Sequence, residues 1–168
     1  DMEFLTNMGL AKRKNVGNAI AQSEIQRSLY SYTLSIDLDR VGKDGELEIT
    51  EAEKADRVDR LLDAVHYLYR DIKGRRENLS PIFVIGGRYE RKNPFFENRI
   101  RVEENRLNTV PLQEIMNEET QIREHTFVGV MTGMFENEEE IRKNLEAATV
   151  GDAFAGLKKE VKDYYEGH

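Results

Sequence analysis

A strand, a helix and a second strand, each closed by turn residues, fill Leu29 to Tyr89 and restrict the fold more than any other part of the chain. Along residues 29–38, Tyr30, Tyr32, Leu34, Ile36 and Leu38 alternate with Ser31, Thr33, Ser35 and Asp37. Period-two alternation rich in aromatic and β-branched residues predicts a half-buried strand. A polar loop with Gly42 and Gly45 follows, and Thr50 and Glu53 have the spacing of a capping box. Ala55, Val58, Leu61, Leu62, Val65, Leu68, Tyr69 and Ile72 then recur at helical spacing and form one apolar stripe, which Gly74 ends. Ser80-Pro81 leads into the continuous apolar run Ile82 to Ile85, bounded by Gly86-Gly87, which suits a buried central strand. This order predicts a βαβ unit whose strands are parallel and joined right-handedly.

The remaining chain continues the mixed pattern. Arg99 to Glu103 alternates as a short strand, and Pro111 opens a helical turn over Leu112 to Met116. His125 to Met131 reads as a further strand ending at Gly133. Glu138 to Ala148 reads as an acidic helix with Ile141 and Leu145 on its inner side. Asp152 is placed to cap a last helix in which Ala153, Phe154, Leu157, Val161 and Tyr164 form the buried stripe and Lys158, Lys159 and Lys162 the wet one. The fold class is α+β. At 168 residues the chain is the size of one domain.

Charge and composition narrow the function classes. The formal net charge of −7 argues against a nucleic-acid coat over the whole surface, although net charge is not a map of it. The absence of cysteine excludes disulfides and thiolate metal sites and is compatible with a reducing cytoplasm. No apolar run is long enough to span a membrane. The chain opens Asp1-Met2 without a clear start signal, which suggests a piece of something longer.

Two basic stretches stand against the acidic background. Residues 1–28 read as an irregular arm that carries Lys12-Arg13-Lys14 and Arg27. Closely spaced cations of this kind contact phosphates by releasing counterions, or form an ordinary solvated run. After the second strand, Arg88, Arg91 and Lys92 interleave with Tyr89, Phe95 and Phe96. Cations for a backbone and rings for bases are what single-stranded nucleic acid needs, whereas the same rings buried in a core leave only a cationic rim. The paired glycines before them lack the spacing and the opening helix of a dinucleotide fingerprint.

No motif makes a positive case for an enzyme or a cofactor. Asp44-Gly45-Glu46-Leu47 with Glu51 matches the second half of an EF-hand loop, but Arg40 and Gly42 then fall where oxygen ligands are required. Asp37 and Asp39 form a DxD pair able to bind a divalent ion or to decorate the end of a strand. His66 lies beside the apolar stripe as a structural residue, His125 begins a strand, and His168 is terminal. There is no HExxH, serine nucleophile elbow or phosphate loop.

Several short segments, in order, resemble the DevR-type CRISPR-associated autoregulator family, backbone subunits of the type I Cascade effector. They are Tyr32 to Gly42, Phe83 to Gly87 with Asn93 to Phe96, Val128 to Gly133 with Glu138 to Ile141, and Thr149 to Phe154 with Tyr164 to Gly167. The resemblance implies an RRM-like (ferredoxin-like) palm over residues 29–168 with inserted loops, of which this chain holds the C-terminal portion. It implies a non-catalytic, cytoplasmic subunit that grips CRISPR RNA beside other copies of itself and other Cascade subunits. Lys12, Arg13, Lys14, Arg27, Arg88, Arg91 and Lys92 are then the expected phosphate clamps. Tyr30 and Tyr32 stack bases if their strand face is open and are core if a helix covers it, the second being the expectation. The alternatives are a metal-dependent nuclease using Asp37 and Asp39, or a protein-interaction module working through its acidic helices.

Overall fold

The computed structural model is α+β, with short antiparallel sheets and a C-terminal helix. It describes residues 2–6, 20–24, 28–72, 74–118 and 120–167, in two units, residues 1–31 and 32–168. In the first unit β1 (Met2–Thr6) pairs antiparallel with β2 (Ile20–Glu24), Met2 opposite Glu24 and Thr6 opposite Ile20. The reading of residues 1–28 as an irregular arm did not anticipate this ladder.

The second unit begins with extended chain and a single 3-10 turn, Leu38–Arg40, followed by the hairpin β3 (Lys43–Asp44) and β4 (Leu47–Glu48). Helix α1 (Glu51–His66) starts as the sequence predicts. The Thr50 hydroxyl accepts from the Glu53 amide and the Glu53 carboxylate accepts from the Thr50 amide. Such a cap contributes about 1 kcal/mol. Lys54 is 3% exposed on this helix, and its ammonium is held by the carboxylates of Glu48 and Glu51. The residue that would close an EF-hand loop, Glu51, is therefore engaged by a lysine. His66 stacks on Phe154 with ring centroids 4.6 Å apart, in the structural role expected of it.

The predicted helix does not run on to Ile72. It stops at His66, and β5 (Tyr69–Ile72) turns through Gly74 (φ 78°) into the antiparallel β6 (Arg75–Asn78). Tyr69 and Ile72 fit both a helical and an alternating period, so the stripe overran the element. Gly74 serves as a hairpin turn residue with positive φ and not as a helix stop.

The centre of the unit is a pair of strands, β7 (Phe83–Gly87) and β10 (Thr126–Val130), with Phe83 opposite Val130 and Gly87 opposite Thr126. Between them come the small hairpin β8 (Val102–Glu103) and β9 (Arg106–Leu107), then helices α2 (Val110–Glu118) and α3 (Thr120–Glu124). After β10 come α4 (Glu138–Leu145) and α5 (Val150–Glu166). Phe83 and Ile85 pack with Val128 and Val130 into one core cluster, formed with Leu107, Leu112, Ile115, Ile141 and Leu145. Val84 faces the other way, into a second cluster made by Val58 and Leu62 of α1 and Val150, Phe154, Val161 and Tyr165 of α5. A strand covered on both faces reads as a continuous apolar run, which is why β7 was legible. Gly129 permits the close approach of α5, since a Cβ there would lie 2.7 Å from the Val150 Cα.

Helix α5 is capped by Thr149 and not by Asp152. The Thr149 hydroxyl accepts from the Asp152 amide and donates to the Asp152 carboxylate at 2.7 Å. Lys158, expected on the wet face, reaches Asp59 at 3.0 Å and Asp63 at 2.7 Å, which ties α5 to α1.

The strand expected over residues 29–38 is not formed, and with it goes the parallel βαβ unit. Residues 28–37 hold no strand, and β7 pairs antiparallel with β10. Ile36 and Leu38 still pack on the second cluster, but Leu34 is exposed, and Tyr30 and Tyr32 are 75% and 51% exposed rather than core. Alternation supplies one apolar edge, but without a hydrogen-bonded partner among the described residues it does not become a strand. The end of this segment is held by side chains instead, since the Tyr165 hydroxyl donates to the Leu38 carbonyl at 2.8 Å.

Candidate nucleic-acid interface

The loop that leaves β7 gathers three of the predicted cations, Arg88, Arg91 and Lys92, within five residues of each other. Its aromatic residues face inward. Phe96 is buried in the first cluster, and Phe95 packs edge-on against Tyr89 with centroids 5.0 Å apart. The Tyr89 hydroxyl lies 2.8 Å from the Thr126 hydroxyl, and burial pushes its phenol pKa up to about 12. Of the two readings of this stretch, buried rings with a cationic rim is the observed one, so base stacking has no ring to use here.

The cations differ in what holds them. The Arg88 guanidinium lies over the Tyr164 ring, 5.6 Å from its centroid. Lys92 reaches across to Asp37 and Asp39, at 2.7 Å from each, and Asp39 also accepts from the Tyr164 hydroxyl. Hydrogen bonds from Lys92, then from Tyr164, hold the Asp39 carboxyl below its ordinary range. Asp37, then Asp39, raises the Lys92 ammonium above its own. The DxD pair is therefore already occupied by an ammonium group. Lys12, Arg13, Lys14 and Arg27 lie outside the described residues.

This latch has a defined pH signature. A carboxyl with a depressed folded pKa contributes above the ordinary carboxylate range and loses that contribution as pH falls through the folded value. Lys92, with its pKa raised, contributes up to the ordinary lysine range and loses its contribution as pH rises through the folded value. The latch is thus intact at neutral pH. A carboxyl-carbon NMR titration is expected to show Asp39 titrating below a free aspartate, and Lys92→Ala should move it back upward. An Asp39 that titrates at the ordinary value in the unmodified chain would show the latch is not formed in solution.

A second polar cluster was not legible in the sequence. The His125 ring Nδ1 meets one oxygen of Glu160, while the other oxygen of Glu160 is buried without a partner among the described residues. Glu160 comes from α5 and His125 from the turn just before β10, so no local spacing signals the pair. Among the described residues no group of three or more His, Asp or Glu side chains is arranged to hold a metal ion.

The family model for the CRISPR-associated negative auto-regulator DevR/Csa2 matches residues 1–109. The chain belongs to this family. The match covers the extended segment after Tyr32, helix α1, strand β7 and the Arg88 to Lys92 loop, and the segments of resemblance after Val128 lie beyond it. No curated protein and no solved structure matches the chain. As a CRISPR-associated protein of the DevR/Csa2 family, it has the components of a CRISPR system as its partner class. No helix among the described residues is long and apolar enough to cross a membrane.

Proposed function

We propose that this chain is a non-catalytic, RNA-binding backbone subunit of a type I CRISPR surveillance complex, acting in the cytoplasm on CRISPR RNA beside further copies of itself and other Cascade subunits. Membership of the DevR/Csa2 family over residues 1–109 carries this reading. In it, residues 29–168 are a portion of an RRM-like palm and residues 1–28 a basic arm. Lys12, Arg13, Lys14, Arg27, Arg88, Arg91 and Lys92 contact phosphates, with Lys92 doing so only after leaving Asp37 and Asp39. Because the rings of the Arg88 to Lys92 loop are packed inward, its contribution is to the RNA backbone and not to sequence. The family's name also carries negative auto-regulation, but no helix-turn-helix is legible in the sequence to support control at DNA.

The nuclease reading has less to support it. Asp37 and Asp39, its proposed metal ligands, are both bonded to Lys92. Divalent-dependent RNA cleavage lost in Asp37→Asn would nonetheless establish it.

Replacing Lys12, Arg13 and Lys14 together by alanine tests the phosphate assignment. Binding to single-stranded RNA is expected to weaken equally for unrelated sequences. The slope of log affinity against log salt should become shallower by about two, since each phosphate contact on a single strand contributes about 0.7. An unchanged affinity and slope would remove these residues from the interface.

A further inference from the structure

Tyr69, Arg70, Asp71 and Arg75 to Asn78 of the β5–β6 hairpin belong to neither core cluster, and the composition of the hairpin departs from the rest of the chain. Residues 69–78 carry Arg70, Lys73, Arg75 and Arg76 against Asp71 and Glu77, within a protein whose net charge is −7. Tyr69, Arg70 and Asp71 on one strand and Arg75 to Asn78 on the other are all exposed. The pairing of Tyr69 with Asn78 and Asp71 with Arg76 puts these four on one face, and Arg70, Glu77 and Arg75 on the other. The Arg76 guanidinium lies 4.1 Å from the centroid of the Tyr69 ring, which is 52% exposed. Tyr67, just before the hairpin, is also exposed. The base is closed by the Leu79 amide donating to the Leu68 carbonyl at 2.9 Å.

We propose that this hairpin is a second contact for single-stranded RNA, separate from the Arg88 to Lys92 loop; the inference rests on the RNA-binding reading above. A two-stranded hairpin on its own is marginal in water, and Tyr69, Arg70, Asp71 and Arg75 to Asn78 of this one are all exposed. Three exposed arginines, set against Asp71 and Glu77, accompany an exposed tyrosine, which fits a polyanion with flat bases better than an apolar protein groove. Arg70 and Arg75 make no ion pair among the described residues, in contrast to Lys92 with its two carboxylates. In this reading the Tyr69–Arg76 stack is a preformed platform for one base, and Arg70 and Arg75 on the opposite face supply charge for the RNA backbone.

The test is fluorescence anisotropy of a labelled, unstructured RNA of about 20 nucleotides with the full chain over a range of salt concentrations. With Arg70, Arg75 and Arg76 all changed to alanine, the dissociation constant is expected to rise at least tenfold at low salt, and the salt slope to become shallower by about 1.4, from the two arginines assigned to the RNA backbone. The corresponding triple lysine variant should keep the slope. Tyr69→Ala should weaken binding while Tyr69→Phe does not, a difference that loss of charge alone would not produce. Arg70, Arg75 and Arg76 belong to neither cluster, so the thermal midpoint of the triple alanine variant should match that of the parent, which keeps a loss of binding distinct from a loss of fold. If the unmodified chain binds RNA and the triple alanine variant binds it equally well, the hairpin assignment is overturned while the RNA-binding reading stands. If the unmodified chain does not bind RNA, both are overturned.

Discussion

Ile141→Ala is expected to lower the unfolding free energy by about 3 kcal/mol, within the range found for deleting a fully buried branched side chain and leaving its cavity. Ile141 is completely buried on the inner face of α4, in the cluster that also holds Leu112, Val130 and Leu145. In the acidic first turn of α4, Glu139 and Glu140 are exposed and the half-buried Glu138 accepts from the Gly133 amide and Arg142, so the apolar hold on this helix comes from its two inner side chains. A loss of that size is a large part of the 5–15 kcal/mol typical of a domain. Chemical denaturation reads it as a lower midpoint at unchanged slope. A change below about 0.5 kcal/mol, the range of ordinary surface substitutions, would show that α4 does not pack as described.

Gly87→Ala is expected to be nearly as costly, about 2–3 kcal/mol, for a different reason: it overpacks a backbone seam. Gly87 ends β7 opposite Thr126, and a Cβ there would lie 1.8 Å from the His125 carbonyl oxygen. Backbone cannot rotate away as a side chain does, so the end of β7 must separate from the start of β10. The same Cβ would come within 3.0 Å of the Tyr89 hydroxyl, which bonds Thr126. The Arg88 to Lys92 loop begins at this seam, so the substitution also displaces the cations that follow it. Gly86→Ala is the matched control, because a Cβ at Gly86 meets nothing within 4 Å. Equal stability of the two alanine variants, by the same denaturation measurement, would contradict the seam.

Local signals were read correctly where local chemistry decides the outcome. The Thr50 and Glu53 box closes α1, the Val58 and Leu62 positions of its stripe are buried, and Ile141 and Leu145 face inward. Strand β7 was legible because both of its faces are covered. The errors fall where a partner far along the chain decides. Residues 29–38 alternate as a strand does, but alternation does not provide a neighbour, and only Ile36 and Leu38 found an apolar surface. The β5–β6 hairpin was hidden by a helical stripe that continued past the C-terminus of its own helix. At the candidate site, the sequence marked Arg88, Arg91 and Lys92 from their clustering. It did not show that Lys92 is bound by carboxylates 53 and 55 positions away, or that Tyr89 and Phe96 are core. Clustering in sequence reveals where charge is, and only the fold reveals what it is already spent on.

The central claim is that the chain binds RNA through its phosphates and does not cut it. The most direct measurement is a titration of fluorescent single-stranded RNA into the purified chain at about 50 and 200 mM salt, with and without magnesium, followed by gel analysis of the RNA. The predicted result is binding that weakens steeply with salt, is the same with and without magnesium, and leaves the RNA intact. RNA cleaved only when magnesium is present, or no binding at the lower salt, would contradict it.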